Sequence, residues 1–425
     1  MSENLSRRGF LASGAAAAAP ALLSGQNPNS RLRTGWIGTG SRGNHVMNMA
    51  YAGSSDLMEV VAVCDTYSGN LNRAKDNVMT KGKNTPKTYV DYKDLLADPN
   101  VDVVFIMTPE HLHHRMALDA LAAKKHIYIE KPLAHTIEEG AAIVAAARKA
   151  GVKVQVGTQN RSNSLYVQAK KMVEDGMIGD IHYVRAFWYR NSLEDNPAWR
   201  YVIPADASPE NTDWKRFLGV EPYVDKNRPF NKQRYYQWRL YWDYSGGIST
   251  DLLVHQTDIT NFVCGKTEPE SCVASGGIYR WTQDDREVPD TLSAIYEYPG
   301  RFHINYSCYF GNDWFGYGEQ FLGNEGTIEV LNRQILNFYP ERFGGKPPAH
   351  VAARKTMNVH LPGNDGPAVQ AHVRNLFEAI AGKAQLVAPV EVGQQAAVSG
   401  HMATLAYRNG KKVLWDTKTQ KYRFA

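Results

Sequence analysis

After residue 31, short apolar runs alternate with segments whose apolar residues recur at helical spacing. The runs at 32–37, 60–64, 101–107, 126–129 and 152–156 read as buried strands, and 44–51, 114–123 and 137–150 as the helices between them. This alternation predicts a parallel sheet covered by helices, with right-handed crossovers that bring the strands' C-terminal ends to one ligand-facing edge. From Ile181 the pattern changes. Phe302, Ile304, Tyr306 and Cys308 alternate with His303, Asn305 and Ser307 after a Pro299-Gly300 turn, the two-residue period of a half-buried antiparallel strand. Runs at 271–279, 291–298, 320–322, 327–330 and 335–339 extend this into a large open sheet. The final helices, 372–381 and 393–407, with the run Val413-Leu414-Trp415-Asp416 behind them, are expected to return to the first domain.

Gly38-Thr39-Gly40-Ser41-Arg42-Gly43 follows the first strand and opens a helix, the context a dinucleotide loop requires. Gly38 permits the tight turn, Gly40 lets backbone amides approach a pyrophosphate, and Gly43 lets the helix pack closely on the strand. Asp65 ends the second strand, 22 residues beyond Gly43, where a carboxylate accepts ribose hydroxyls and repels a 2′-phosphate. NAD is therefore the expected cofactor, with Arg73 keeping NADP open. The fold class is α/β: residues 31–151 form an N-terminal Rossmann domain with a parallel sheet. Residues 152–425 form a C-terminal α/β domain with a large open, mainly antiparallel sheet.

Composition adds boundaries. Hydrophobic residues make up 43% and charged residues 21%, which argues against both a disordered chain and a membrane-embedded body. The net charge of +5 is spread without long Lys/Arg runs, so no nucleic-acid partner and no polybasic membrane patch is expected. Cys64, Cys264, Cys272 and Cys308 form no CxxC pair and no ligand spacing, so no structural zinc is expected; a Cys264–Cys272 bridge stays open. Within residues 1–30, Arg7-Arg8-Gly9-Phe10-Leu11, a short small-residue apolar run and Ala19-Pro20-Ala21 resemble a twin-arginine export signal with a cleavage site, followed by a polar linker. A periplasmic or otherwise extracytoplasmic address is expected.

Two more motifs carry chemistry: Glu130-Lys131-Pro132 at the end of a buried strand, and Asp251 with His255 after Gly246-Gly247. A spacing of four on a helix puts Asp251 and His255 on one face. With the glycine loop, Asp65, Thr108-Pro109-Glu110-His111-Leu112-His113 and the Trp415-Asp416 ending, this order of motifs resembles the Gfo/Idh/MocA family (glucose–fructose oxidoreductase, inositol dehydrogenase, rhizopine catabolism). The resemblance implies a Rossmann domain followed by a sheet domain that often forms a dimer face, hence a homodimer or homotetramer. It also implies that Lys131, Asp251 and His255 surround the carbinol of a sugar or polyol beside the nicotinamide. An imidazole near neutrality suits removal of the hydroxyl proton, a lysine stabilises alkoxide character, and Asp251 orients substrate or imidazole. No metal is needed, because lysine supplies the electrostatics.

Thr108, Pro109, His113, Glu130 and Lys131 join Thr39, Ser41 and Arg42 as expected cofactor contacts, with His113 toward the nicotinamide. Gln159 and Arg161, after the strand at 152–156, and Tyr236 and Arg239, from an aromatic and arginine-rich stretch, are the candidate substrate contacts. The expected function is an exported NAD(P)-dependent oxidoreductase acting on a sugar or polyol hydroxyl, its cofactor tightly bound because free dinucleotide is scarce outside the cytoplasm. Two alternatives stand beside it: a redox-assisted glycoside hydrolase or lyase, and a non-catalytic dinucleotide or sugar-binding protein. The Tyr-Pro-Thr-His-Gly stretch associated with one glycosidase branch is absent, and Thr250-Asp251-Leu252-Leu253-Val254-His255 is present.

Overall fold

Strands with apolar residues on both faces must be covered on both sides, and the first half of the chain meets that demand. In the computed structural model, which describes residues 31–361, 363 and 365–425, its elements are β1 (Leu32–Ile37), α1 (Ser41–Ser54), β2 (Met58–Cys64), α2 (Ser68–Lys81), β3 (Lys87–Tyr89) and α3 (Tyr92–Ala97). Then follow β4 (Val103–Ile106), α4 (His113–Ala122), β5 (His126–Ile129), α5 (Ile137–Ala150) and β6 (Val154–Val156). The twin-arginine segment, residues 1–30, lies outside the described residues.

The six strands pair in the order β3-β2-β1-β4-β5-β6, all parallel. The chain's direction across the sheet reverses between β1 and β4, and ligands of such sheets bind in the crevice at that reversal. Register makes the crevice concrete: Ile37 pairs with Cys64 on one side and with Ile106 on the other, so Gly38, Asp65 and Met107 leave the sheet at one edge. The sequence pattern passes over α2, β3 and α3. Helix α2 buries only Leu71, Ala74 and Val78, and β3 is a three-residue edge strand with two exposed positions, so neither carries a strong apolar period.

The second half comprises α6 (Ser164–Glu174), β7 (Ile181–Arg190), α7 (Trp214–Leu218), α8 (Lys232–Tyr236), α9 (Val254–Cys264), β8 (Ser271–Gly277), β9 (Thr291–Tyr298), β10 (Phe302–Tyr309), β11 (Asn312–Gly323) and β12 (Gly326–Leu331). It ends with β13 (Ile335–Pro340), α10 (Ala349–Ala352), β14 (Met357–His360), α11 (Gly366–Ile380), α12 (Val390–Asn409), β15 (Val413–Asp416) and β16 (Lys421–Phe424). Ten strands form one sheet, β14-β13-β12-β11-β7-β10-β9-β8-β15-β16. Its pairs are antiparallel except β7 with β10, which run parallel. Tyr296, Tyr306, Phe321 and Phe338 point into the core, while Tyr183, Val273, Ile295 and Leu322 are exposed on the strands. The four cysteines are unpaired, so the Cys264–Cys272 bridge does not form.

Helix α11 sends Val369, Val373, Leu376 and Phe377 into the cluster that holds Trp36, Phe105 and Tyr128 of the first sheet. Helix α12 is shared: Val390 and Ala397 join the cluster around Ile129 and Val156, and Val398, Met402 and Ala403 join the core of the second sheet. The Val413–Asp416 run departs from expectation. It pairs with β8 and extends the second sheet, because Val413 and Leu414 complete hydrogen bonding at an edge that would otherwise be open.

Phe377 is 1% exposed and its ring lies 6.1 Å from that of Phe105. Phe377→Ala is expected to cost about 3–5 kcal/mol, read as a lower urea midpoint of the full chain. Glu319 on β11 is 1% exposed and takes a 2.6 Å hydrogen bond from the Tyr166 hydroxyl of α6. Burial pushes its carboxyl up to about 8 from 4.5. The native state therefore keeps a proton that the unfolded chain releases, and stability falls as pH rises from about 4.5 to about 8. Glu319→Gln should flatten that part of the urea midpoint against pH profile, and the difference between the two proteins should grow between pH 4.5 and 8 to about 5 kcal/mol at most.

Candidate functional site

The glycine loop lies where β1 ends. Gly38 has φ +84°, and a Cβ there would stand 2.9 Å from the Met107 carbonyl carbon, while a Cβ at Gly43 would stand 2.1 Å from the Gly38 oxygen. No other residue fits either position. Gly40 precedes the first turn of α1, and a Cβ there would meet only Asn70 Nδ2, at 3.6 Å. The space over the helix N-terminus is thus open, which fits a pyrophosphate.

Asp65 is 7% exposed and its carboxylate is occupied. Oδ2 accepts from Thr39 N at 2.7 Å, Thr39 Oγ1 at 3.2 Å and Asn70 Nδ2 at 3.3 Å; Oδ1 accepts from Tyr67 N at 2.9 Å and the Tyr235 hydroxyl at 3.3 Å. Burial raises its pKa against these donors. The carboxylate read from the sequence as a ribose acceptor is already the clamp between the glycine loop and the end of β2. Thr39 and Gly43 serve this packing and do not line the open space. Arg73, which kept NADP open, gives its guanidinium to Asn70 Oδ1.

From this loop a continuous cleft of about 740 Å³ runs between the two sheets to Trp188 at the end of β7, a volume suited to a dinucleotide and a small substrate. Gly38, Gly40, Ser41, Arg42, Asp65, Thr108, Pro109, Glu130 and Lys131 line it, with Gln159, Tyr236, Arg239, Asp251 and His255. Arg42 Nε donates to Glu130 Oε1 at 2.8 Å, so these two expected cofactor contacts neutralise one another and tie α1 to the end of β5.

Lys131 follows β5 and its peptide bond to Pro132 is cis. Its Nζ donates to Asp251 Oδ1 at 2.9 Å and to the Asp251 backbone oxygen. Arg239 Nε donates to the same Oδ1 at 3.1 Å, its guanidinium 4.3 Å from the Trp238 ring. Burial opposes ionisation of Asp251, but Lys131 and Arg239 outweigh it and hold the carboxyl far below its usual range. His255 is 6% exposed, and its Nδ1 is shut from solvent without a partner. Burial first, then the positive charges of Lys131 and Arg333, drive its pKa well down, so the ring is neutral.

The four-residue spacing of Asp251 and His255 does not produce a direct pair. Ser249–Leu253 forms a π-helical turn before α9, a wider winding that turns Asp251 toward Lys131. Three other expectations are corrected. His113 is buried, with Nδ1 2.8 Å from the Pro132 oxygen and Nε2 2.9 Å from the Thr108 oxygen. It braces the two cleft-lining turns and is not exposed to a nicotinamide. Arg161 Nε donates to both carboxylate oxygens of Asp258, at 2.8 and 3.0 Å, and docks the turn after β6 on α9 outside the cleft lining. Tyr236 lines the cleft but packs against Tyr67 and Tyr235, on the Asp65 side.

Sequence reasoning missed Glu110 and Arg333. Glu110 is 2% exposed, and its Oε1 accepts from Gly246 N at 2.8 Å and Thr250 Oγ1 at 3.1 Å, holding the turn that carries Asp251. Burial pushes it up to about 7. It lies inside the Thr108–His113 motif and was in view. Arg333 sits in the β12–β13 hairpin, and no local signal marks it.

The oxidoreductase-family NAD-binding Rossmann-fold sequence model of Gfo/Idh/MocA proteins matches residues 32–158, and that family's C-terminal alpha/beta domain matches residues 221–414. Bacillus subtilis oxidoreductase YrbE is 28% identical over 243 residues, 56% of each chain. Inositol 2-dehydrogenase of Salmonella paratyphi B is 36% identical over 163 residues, 38% of this chain and 47% of that one. The chain thus spans about half the length of these curated relatives. In structure, levoglucosan dehydrogenase solved with NADH and levoglucosan superposes with a TM-score of 0.70 at 20% identity, covering 91% of this chain and 99% of that one, a likeness of fold. With both halves matched in the same order, and an open loop over the N-terminus of α1 where the NAD-binding half is matched, the chain belongs to the Gfo/Idh/MocA oxidoreductase family.

Proposed function

We propose that this protein oxidises a hydroxyl-bearing carbon of a sugar or polyol, or reduces the corresponding carbonyl. The observation that carries this is the convergence of Lys131 Nζ, the Asp251 carboxylate and the neutral His255 imidazole on the cleft that begins at the glycine loop. The loop Gly38–Gly43 and the N-terminus of α1 hold the dinucleotide, which when bound supplies a hydride acceptor. Lys131 donates a hydrogen bond to the substrate oxygen and stabilises the negative charge that grows there. The His255 imidazole, neutral in the free site, takes the hydroxyl proton. Asp251 aims Lys131, and Arg239 holds Asp251 in place. Inositol 2-dehydrogenase and levoglucosan dehydrogenase, among the relatives, act on molecules of this class by their names.

We infer further that residues 1–30 direct the folded chain across a membrane and that the dinucleotide travels with it as a resident group. The apolar positions exposed on β7, β8, β9 and β11 support pairing of the second sheet with another copy of the chain. A resident cofactor also suits a redox-neutral cycle, in which a transiently oxidised glycoside is cleaved and then reduced.

Lys131→Ala is expected to lower kcat by 10²–10⁴-fold (roughly the range for a lost proton-transfer or oxyanion donor) with NADH affinity kept within a few-fold. NADH formation across a sugar and polyol panel, with glycoside cleavage followed in parallel, measures this. An unchanged rate would remove Lys131 from the chemistry, and cleavage without net NADH would select the redox hydrolase. Denaturing the purified protein should release close to one dinucleotide per chain; protein that releases none argues against the resident cofactor.

A further inference from the structure

Most cleft cations have a carboxylate of their own: Arg42 has Glu130, and Lys131 and Arg239 share Asp251. Two do not. Arg190 closes β7 with no acidic partner among the described residues, its guanidinium carbon 4.9 Å from the Trp188 ring. Arg333 brings its guanidinium carbon within 5.1 Å of the same ring, and that ring lies 6.1 Å from His255. The Arg333 side chain is 10% exposed, and its Nη2 is buried without a hydrogen-bond partner. Asp365 stands 3.8 Å from Nη1, beyond hydrogen-bond reach. Glu319, also near Arg333, is held protonated by burial and bound by Tyr166.

At the Trp188 end of the cleft, Lys131, Arg190, Arg239 and Arg333 thus face only Asp251 and Asp365. A buried guanidinium N–H without an acceptor is costly, and a neutral sugar offers it weak acceptors. A carboxylate or phosphate matches the guanidinium fork and removes that cost. The dinucleotide's own phosphates belong at the N-terminus of α1 beside Arg42, whereas Arg190 and Arg333 border Trp188 and His255.

We propose that the substrate carries an oxyanion substituent, a carboxylate or a phosphate, which Arg190 and Arg333 hold beside the carbon that Lys131 and His255 attend. This rests on the sugar or polyol reading above. It also completes that chemistry: an anion against Arg333 offsets one of the positive charges that depress His255 and makes the imidazole a better proton acceptor.

The test titrates the NADH-loaded full chain, at low salt, with D-glucose, D-glucuronate, D-glucose 6-phosphate and inorganic phosphate alone, by calorimetry. At least one acidic sugar should bind about tenfold or more tighter than glucose, the gain of one charge-assisted pair, and added salt should erode that gain. Which acid is preferred tells carboxylate from phosphate. R190Q and R333Q should each collapse the preference by about tenfold, and R333K should restore part of it. Glucose bound as tightly as both acids overturns the proposal and leaves the sugar reading standing. So does a preference indifferent to both substitutions, or a loss in R333Q that falls on NADH affinity instead. Phosphate binding that R333Q abolishes, with no sugar bound, leaves the anion site standing and overturns the sugar reading. No binding by any probe overturns both.

Discussion

One carboxylate joins the two halves of the site. Asp251 is carried by the turn before α9, yet its charge is balanced by Lys131 at the end of β5 and by Arg239 from the aromatic stretch. A buried ion pair is a poor source of stability, since desolvation consumes most of the attraction, but removing one partner leaves an exposed penalty that the fold cannot relax. The arrangement therefore fixes geometry more than it adds stability. It sets where a lysine tip stands relative to an imidazole, and it does so across the seam between a parallel and an antiparallel sheet.

The surrounding groups keep that seam in register. Glu110 hydrogen-bonds Gly246 and Thr250 on one side of Asp251, and His113 braces the turns at Thr108 and Pro132 on the other. The π-helical turn at Ser249–Leu253 gives the backbone the extra width needed to point Asp251 at Lys131 while His255 stays on the cleft wall. The reactive groups are thus held by neighbours that are themselves hydrogen-bonded, as preorganised sites require.

How far the sequence reaches depends on whether a signal is local. The glycine loop, Asp65 and the Lys131 motif were legible because each is a short string at a strand end, and strands with strong apolar runs were legible for the same reason. Helices α2 and α3 were not, because a thin apolar stripe on a polar segment carries little periodicity. The role of Arg161 was misread because a loop arginine beside a cleft looks the same whether it faces the cleft or a buried aspartate; Asp258 is 97 positions away. Arg333 and Arg190 were invisible as a pair, since only the β-sheet brings them to one tryptophan. Asp65 was legible as the carboxylate that ends the second strand, but its burial and its several donors could not be read from its position.

Helices α11 and α12 place a further condition on how the chain comes to be. The first sheet begins at Leu32, yet the side chains that close one of its faces arrive only with Val369–Phe377, and those that seal another cluster with Val390 and Ala397. A ribosome-bound N-terminal half has its dinucleotide loop but an open core, so the domain cannot finish folding as it emerges, and assembly waits for nearly the whole chain.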